Sequence, residues 1–126
     1  MTTNNREKRL LEYLSEHEKE TSKLLISLAK YYWNYLKKKV YDNSKQILEV
    51  PDCVPVARSI DGINCIRYGW DKNEHYLECE ILVDGTKEFF YRNRLTQETC
   101  GEDYFPETDI SDYMIEKLLL FTTNYE

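Results

Sequence analysis

The chain has 126 residues, a net charge of −6 and 41% hydrophobic residues, which indicates one folded domain over 1–126 and excludes a disordered chain. No apolar run approaches the ~20 residues that cross a bilayer, and the first residues lack the apolar region of a signal peptide. We therefore expect a cytoplasmic protein without a membrane segment. Charge is uneven: residues 1–45 carry ten Lys and Arg against six Asp and Glu, whereas 46–126 carry seven against seventeen.

The N-terminal third, 5–40, predicts helix, because it contains no Gly or Pro and apolar residues recur three and four positions apart. This stripe runs through Leu10, Leu14, His17, Thr21, Leu24, Leu28, Tyr31 and Tyr35. It becomes polar at His17, and Ser15 is a residue type that caps a helix. One unbroken helix and two helices, over about 5–14 and 16–40, both fit the pattern.

The middle of the chain, 55–94, predicts an antiparallel β-meander. The dipeptides Asp61-Gly62 and Asp84-Gly85 suit two-residue type I′ turns, which need positive φ at both central positions. A polar four-residue loop at 71–74 lies between them. These three turns separate predicted strands near 55–60, 63–70, 75–83 and 86–93.

The predicted turn lengths set a register in which Tyr68 faces Leu77 and Cys79 faces Phe90. One face is then apolar and forms the core, with Ile66, Tyr68, Trp70, Leu77, Cys79, Ile81, Val83 and Phe90. The opposite face pairs Arg67 with Glu78, which is a favourable cross-strand contact, and places Lys87 near the same carboxylates. A slip of one residue between the strands would bury Glu78 and Glu80, so the pattern favours this register.

After Arg94 the chain is acidic and predicted to be irregular, until a closing helix over 109–122. The apolar positions of this helix are Ile110, Met114, Ile115, Leu118, Leu119 and Phe121, which should dock on the sheet or on the first helix. The predicted class is α+β: a long N-terminal helix (or two helices), a four-stranded antiparallel β-meander and a C-terminal helix.

The meander also carries a resemblance. The residues concerned are Pro55, Asp61-Gly62-Ile63, Trp70, Leu77, Ile81, Asp84-Gly85, Phe90-Tyr91-Arg92-Asn93-Arg94 and Glu98. Over about 51–105 the chain resembles a widespread, loosely defined group of small bacterial proteins. In that group a meander has Asp-Gly turns, Trp ends one strand, and Phe/Tyr-Tyr-Arg-x-Arg ends another. The resemblance implies the fold and contributes no activity, cofactor or partner.

A search for chemistry finds no active-site pattern. Nucleophilic catalysis needs a base within hydrogen-bond reach, but His75 is predicted at a strand end and His17 within the helix stripe. The four cysteines have no CxxC spacing, which argues against a zinc site and for reduced thiols: Cys53, Cys65, Cys79 and Cys100. There is no glycine-rich phosphate loop. We therefore expect a protein that is not an enzyme and has no cofactor or metal.

The predicted outer face of the sheet mixes aromatic, Arg and carboxylate side chains, as interfaces do. The candidate partner-binding residues are Arg67, Glu78, Glu80, Phe89, Tyr91 and Arg92, with Glu102, Asp103, Glu107 and Asp109 in the acidic segment. A helix covering this face is the competing interpretation. We expect a protein-binding module of inhibitor, antitoxin, immunity or adaptor type in a bacterial or phage conflict system. Its acidic segment would then mimic nucleic acid against a nuclease or toxin.

Two other functions fit parts of the sequence. The stripe from Leu10 to Tyr35 could pair helices in a structural homodimer. The basic run of Lys37, Lys38 and Lys39 lies beside several aromatic residues and could bind nucleic acid, although the net negative charge opposes that.

Overall fold

A computed structural model describes residues 5–16, 22–57 and 64–123, and in these ranges the protein is α+β. The helices are α1 (Asn5–Glu16), α2 (Lys23–Ser44) and α3 (Asp112–Leu118), and α3 continues into a 3₁₀ turn at Leu119–Phe121. The strands are β1 (Ile47–Leu48), β2 (Asp52–Val56), β3 (Cys65–Lys72), β4 (His75–Leu82), β5 (Lys87–Asn93), β6 (Thr99–Tyr104) and β7 (Thr122–Thr123). None of the helices in these ranges combines the length and apolarity that crossing a bilayer requires.

Strands β2 to β6 form one antiparallel sheet in chain order, and β1 pairs with β7 in a separate two-stranded sheet. The antiparallel meander is therefore confirmed, but it has five strands instead of four. The segment predicted to be irregular contains β6, which was missed because Gly, Glu and Asp are depleted in strands. These residues are tolerated here because β6 lies at the sheet edge, where charged side chains are common.

The helical third is divided into two helices at a later point than predicted. Ser22, in an extended conformation, caps α2, and its Oγ accepts a hydrogen bond from the Leu25 N–H at 3.0 Å. Ser15 lies within α1, and its Oγ accepts from Lys30 Nζ at 2.8 Å. The polar positions His17 and Thr21 lie outside the described residues, as does the predicted Asp61-Gly62 turn.

The hairpin between β3 and β4 is tighter than predicted. Its turn is Asn73-Glu74, with Asn73 at φ 56, so that Tyr68 faces Cys79 and Trp70 faces Leu77. The predicted pairing is shifted by two residues. Because side chains alternate with a period of two, this error leaves each residue of β3 and β4 on its predicted face.

The hairpin between β4 and β5 differs by one residue, which reverses the faces of β5. The Gly85 N–H donates to the Leu82 carbonyl at 2.9 Å, and Leu82 N–H donates to the Thr86 carbonyl at 3.0 Å. Together with Gly85 at φ 90, these bonds make a three-residue loop with a bulge instead of a type I′ turn. Cys79 therefore faces Phe89, and Phe90 lies on the face opposite the core.

The core lies between one face of the sheet and the helices. The Tyr68 hydroxyl donates to the Ala29 carbonyl of α2 at 2.6 Å, and the rings of Trp33 and Tyr68 meet edge to face. At the C-terminus, Ser111 caps α3 by accepting from the Met114 N–H. The buried strand residues on this face are Ile66, Tyr68, Trp70, Leu77, Cys79, Ile81, Lys87, Phe89, Tyr91 and Tyr104.

Candidate functional site

The second face of the five-stranded sheet carries no helix among the described residues. We call this surface the open face and define it by the outward-facing residues Val54, Arg67, Tyr76, Glu78, Glu80, Glu88, Phe90, Arg92, Thr99, Gly101 and Asp103. These residues are half-buried or exposed, whereas Cys65, at one end of the same face, is buried. The predicted alternative, a helix covering this face, is not observed in the described ranges.

Arg67 forms the polar centre of the open face and brings two predicted residues together. Its Nη2 lies 2.6 Å from Glu80 Oε2, and its Nε lies 3.3 Å from Glu78 Oε2. The predicted charge pair therefore exists, with Glu80 as the nearer partner. The hydrogen bond to Glu80 raises the pKa of Arg67, so the guanidinium is a fixed positive charge among carboxylates.

Three carboxylates lie in one row across the open face beyond Arg67. In successive strands Arg67 faces Glu80, Glu80 faces Glu88, and Glu88 faces Asp103. Like charges directly opposite each other destabilise a sheet. The β6 end of the row is therefore acidic, while Arg67 balances the β3 end.

Apolar side chains interrupt these charges. Phe90 is 38% exposed between Glu78 and Gly101, and Val54 on β2 is 47% exposed. The Tyr76 hydroxyl donates to Glu78 Oε1 at 2.9 Å, and burial, followed by this bond, raises the pKa of Tyr76 to about 12. The open face thus combines aromatic rings, Arg and carboxylates, which is the composition of interface hot spots.

Phe89 and Tyr91 were predicted on this face, and that placement was wrong. Phe89 is buried against Tyr104 with ring centroids 5.7 Å apart. Tyr91 is buried, and its hydroxyl lies 2.7 Å from Nδ1 of the half-buried His75. Phe90 was predicted in the core and takes their place on the surface, while Lys87, predicted near the carboxylates, is buried on the inner face. Arg92 is exposed on the open face, opposite Tyr76.

The four predicted acidic residues do not form one surface. Glu102 and Asp103 point to opposite faces of β6, and Glu102 accepts hydrogen bonds from the hydroxyls of Ser111 (2.6 Å) and Tyr104. Asp109 is bound to Tyr35 and to Lys39 (2.9 Å), which holds the loop before α3 against α2. Asp103 and Glu107 are exposed.

The basic run on α2 is matched by carboxylates. Lys37 Nζ lies 2.5 Å from Glu7, Lys38 Nζ lies 2.7 Å from Asp42, and Lys39 Nζ lies 2.9 Å from Asp109. Tyr32 and Trp33, which could have stacked on bases, are buried in the core. These contacts reduce the positive field available to a phosphate backbone.

The core buries only part of the predicted helix stripe. Leu10 and Leu14 of α1 are buried in the core with Leu36 of α2. Leu24 and Tyr31 remain 58% and 62% exposed on α2. A homodimer through the helices would therefore use this part of α2 and not the whole predicted stripe.

Other reactive groups are buried or half-buried by packing. His75 is half-buried, with its ring stacked on Tyr91 and edge-on to Phe121. Burial raises the pKa of Cys53 to about 12 and raises that of Cys79 as well. Within the described ranges, no three His, Cys, Asp or Glu side chains are grouped so as to hold a metal ion.

Sequence patterns missed Val54, Phe90 and Gly101 as members of the open face. The available signal was the three-residue spacing of Val83-Asp84-Gly85, which equally suits a bulged loop.

No protein-family model matches the chain, and no curated protein or solved structure matches it. Function is therefore inferred from residue chemistry and geometry alone.

Proposed function

We propose that this chain is a small non-enzymatic protein-binding module that acts by occupying a partner through the open face. Its role would be that of an inhibitor, antitoxin, immunity protein or adaptor in a bacterial or phage conflict system. The observation that carries the proposal is the packing of the described helices on one face of the sheet, which leaves Phe90, Arg67 and Val54 without a covering helix in the part of the chain that the structure describes.

The chemistry of the open face supports a protein partner. Phe90 and Val54 supply apolar area, and Arg67 is held in place by Glu80 and Glu78, so little conformational freedom would be lost on binding. The acidic β6 end of the carboxylate row favours a basic partner surface, such as the groove of a nuclease or toxin. The matched lysines of α2 make the alternative of nucleic-acid binding the weaker one.

The test is affinity capture from the native host with the full chain, followed by a binding measurement on the recovered stoichiometric protein. Phe90→Asp introduces a charge at the centre of the open face and should weaken binding at least about tenfold. Leu24→Asp is the matched control, because Leu24 is an exposed apolar residue on the helix layer. Both variants are checked for folding by circular dichroism.

Three results would count against the proposal. Capture of no stoichiometric protein contradicts partner binding. Loss of binding on Leu24→Asp, with Phe90→Asp unaffected, assigns binding to the helices. Light scattering that gives a dimer sensitive to Leu24→Asp favours the homodimer instead.

A further inference from the structure

The two edges of the five-stranded sheet differ in the main-chain groups they present. In an antiparallel sheet the N–H and C=O of successive residues point alternately to one neighbour and to the other. The Asn93 N–H donates to the Glu98 carbonyl at 2.9 Å, so the main-chain N–H and C=O of Glu98 point toward β5. Counting along β6 in this alternation, Cys100, Glu102 and Tyr104 also face β5.

Three residues of β6 therefore direct their N–H and C=O away from the sheet: Thr99, Gly101 and Asp103. The hairpin between β4 and β5 gives the same result. Because Leu82 and Thr86 share a main-chain hydrogen bond, Glu88, Phe90 and Arg92 direct their N–H and C=O groups toward β4, and the residues between them direct theirs toward β6. All three outward residues are exposed, and within the described part of the chain no strand pairs with this edge.

The other edge is blocked. Strand β2 contains Pro55, and proline is tolerated in an edge strand where its missing N–H would face solvent. By the same alternation Cys53 is the only other residue of β2 that faces outward, and Pro51 precedes the strand at the next outward position. The β2 edge thus offers a single N–H, whereas the β6 edge offers three.

We propose that the β6 edge accepts an extended segment of a partner protein as a sixth strand. The segment places an apolar side chain opposite Gly101 and a basic side chain opposite Asp103. This inference rests on the proposed function, since it names the kind of partner segment and the edge of the open face that receives it. Main-chain hydrogen bonds supply affinity in such strand addition, and alternate side chains supply specificity.

Gly101 creates the apolar position. It lies directly opposite Phe90, and with no side chain of its own it leaves that ring 38% exposed. The fold does not require glycine here, because a Cβ at this position would meet only the Phe89 carbonyl at 3.5 Å, an ordinary contact. A side chain from an added strand would cover Gly101 and pack on the exposed edge of Phe90.

Charge selects a basic segment over a second copy of this chain. Asp103 is exposed at the end of the carboxylate row, opposite Glu88, and Glu107 is exposed in the loop that follows. Antiparallel pairing of two β6 strands about Gly101 would place Asp103 opposite Thr99 of the second copy, which supplies no positive charge. A Lys or Arg opposite Asp103 would instead form a favourable cross-strand pair.

The test uses the ¹⁵N-labelled full chain and a capped heptapeptide, Thr-Arg-Thr-Val-Thr-Arg-Thr, as the probe. Titration should shift the amide signals of Thr99, Gly101 and Asp103 and slow their hydrogen exchange. Replacing both Arg of the peptide with Glu should weaken binding at least about tenfold. N-methylation of its Val, which removes the N–H facing Gly101, should abolish binding.

Absence of these shifts at saturating peptide, shifts confined to β2, or equal binding of the basic and acidic peptides would overturn the inference. Dimerisation of the free chain through β6 would overturn the basic occupant in favour of a second copy. The titration needs no host partner, so its failure is seen separately from failure of the affinity capture.

Two variants complete the test. Gly101→Pro removes one outward N–H without touching the bonds to β5, and peptide binding should fall at least about tenfold. Asp103→Lys keeps the backbone and should reverse the preference to the acidic peptide. Asp52→Lys is its matched control, because Asp52 is an exposed carboxylate on the open side of β2. Binding that survives both β6 variants contradicts the proposal.

Discussion

The ammonium group of Lys87 lies 4.4 Å from the centre of the Tyr32 ring, in the core between β5 and α2. Lys87 is 1% exposed, and among the described residues the hydrogen-bond partner of its ammonium group is the Phe105 carbonyl at 3.5 Å. The Tyr35 ring lies 5.7 Å from the same nitrogen. The cation is thus held mainly by ring faces, and its burial lowers the pKa of Lys87.

Replacing Lys87 with Met should stabilise the protein at neutral pH by roughly 1 kcal/mol, because the side chain keeps its volume and loses a poorly solvated charge. In the unfolded chain the Lys87 ammonium keeps its proton up to a pH near 10.5, which is above the pKa of Lys87 in the fold. Between these two pKa values unfolding therefore takes up a proton. The stability of the natural chain should therefore rise relative to Lys87→Met as pH increases through that window.

Urea unfolding of both proteins across this pH range measures the difference, and the tyrosines they share cancel. Lys38→Met serves as the control, since Lys38 is exposed and should change stability by no more than about 0.5 kcal/mol. A difference that does not vary with pH would mean that Lys87 stays charged in the fold.

Gly85→Ala should destabilise the fold by about 1 to 3 kcal/mol. Gly85 has φ 90, and an added Cβ would lie 3.0 Å from Pro106 Cγ. Gly69→Ala is the matched control, because no heavy atom lies within 4 Å of its Cβ position. Thermal unfolding compares the two, and equal stability would show that the bulged loop does not need glycine.

Ser22→Ala should cost about 1 kcal/mol, because it removes the acceptor for the Leu25 N–H at the start of α2. Ser15→Ala should cost no more than about 0.5 kcal/mol, since its hydroxyl accepts a solvent-exposed hydrogen bond from Lys30. Chemical unfolding of the two variants decides where α2 begins. The reverse order of stabilities would place the cap at Ser15.

Asp103→Asn should raise the free energy of unfolding by a few tenths of a kcal/mol, because it removes the like charge opposite Glu88. The gain should shrink in high salt, which screens exposed charges. Asp52→Asn is the control, since Asp52 faces Gly69 instead of a carboxylate. A gain for Asp52→Asn equal to that for Asp103→Asn would attribute the effect to net charge alone.

Local sequence signals were sufficient to predict that the N-terminal third is helical and which residues of β3 and β4 are buried. Alternation through Ile66, Tyr68 and Trp70 gave the buried face of β3, whereas the apolar spacing in α2 included Leu24 and Tyr31, which are exposed. A two-residue error in the first hairpin did not disturb these assignments, because it preserves the alternation.

The face of β5 could not be predicted in the same way. Both faces of this strand carry an aromatic residue, with Phe89 and Tyr91 on one and Phe90 on the other, so burial of either set looked plausible. Asp84-Gly85 is compatible with loops of two and three residues, and Pro106 packs against Gly85 from a distant part of the chain. The candidate site changed accordingly, because Phe90 and Phe89 exchanged places.

The sequence by itself determined the α+β class, the antiparallel order of the central strands and the contact of Arg67 with Glu78, since these follow from turns and alternation between neighbouring segments. Only the tertiary structure decided the face of β5, the existence of β6 and the burial of Lys87. Strand β6 has weak intrinsic propensity, so it forms because β5 offers it a ladder of main-chain hydrogen bonds. That ladder depends on the packing of the whole sheet.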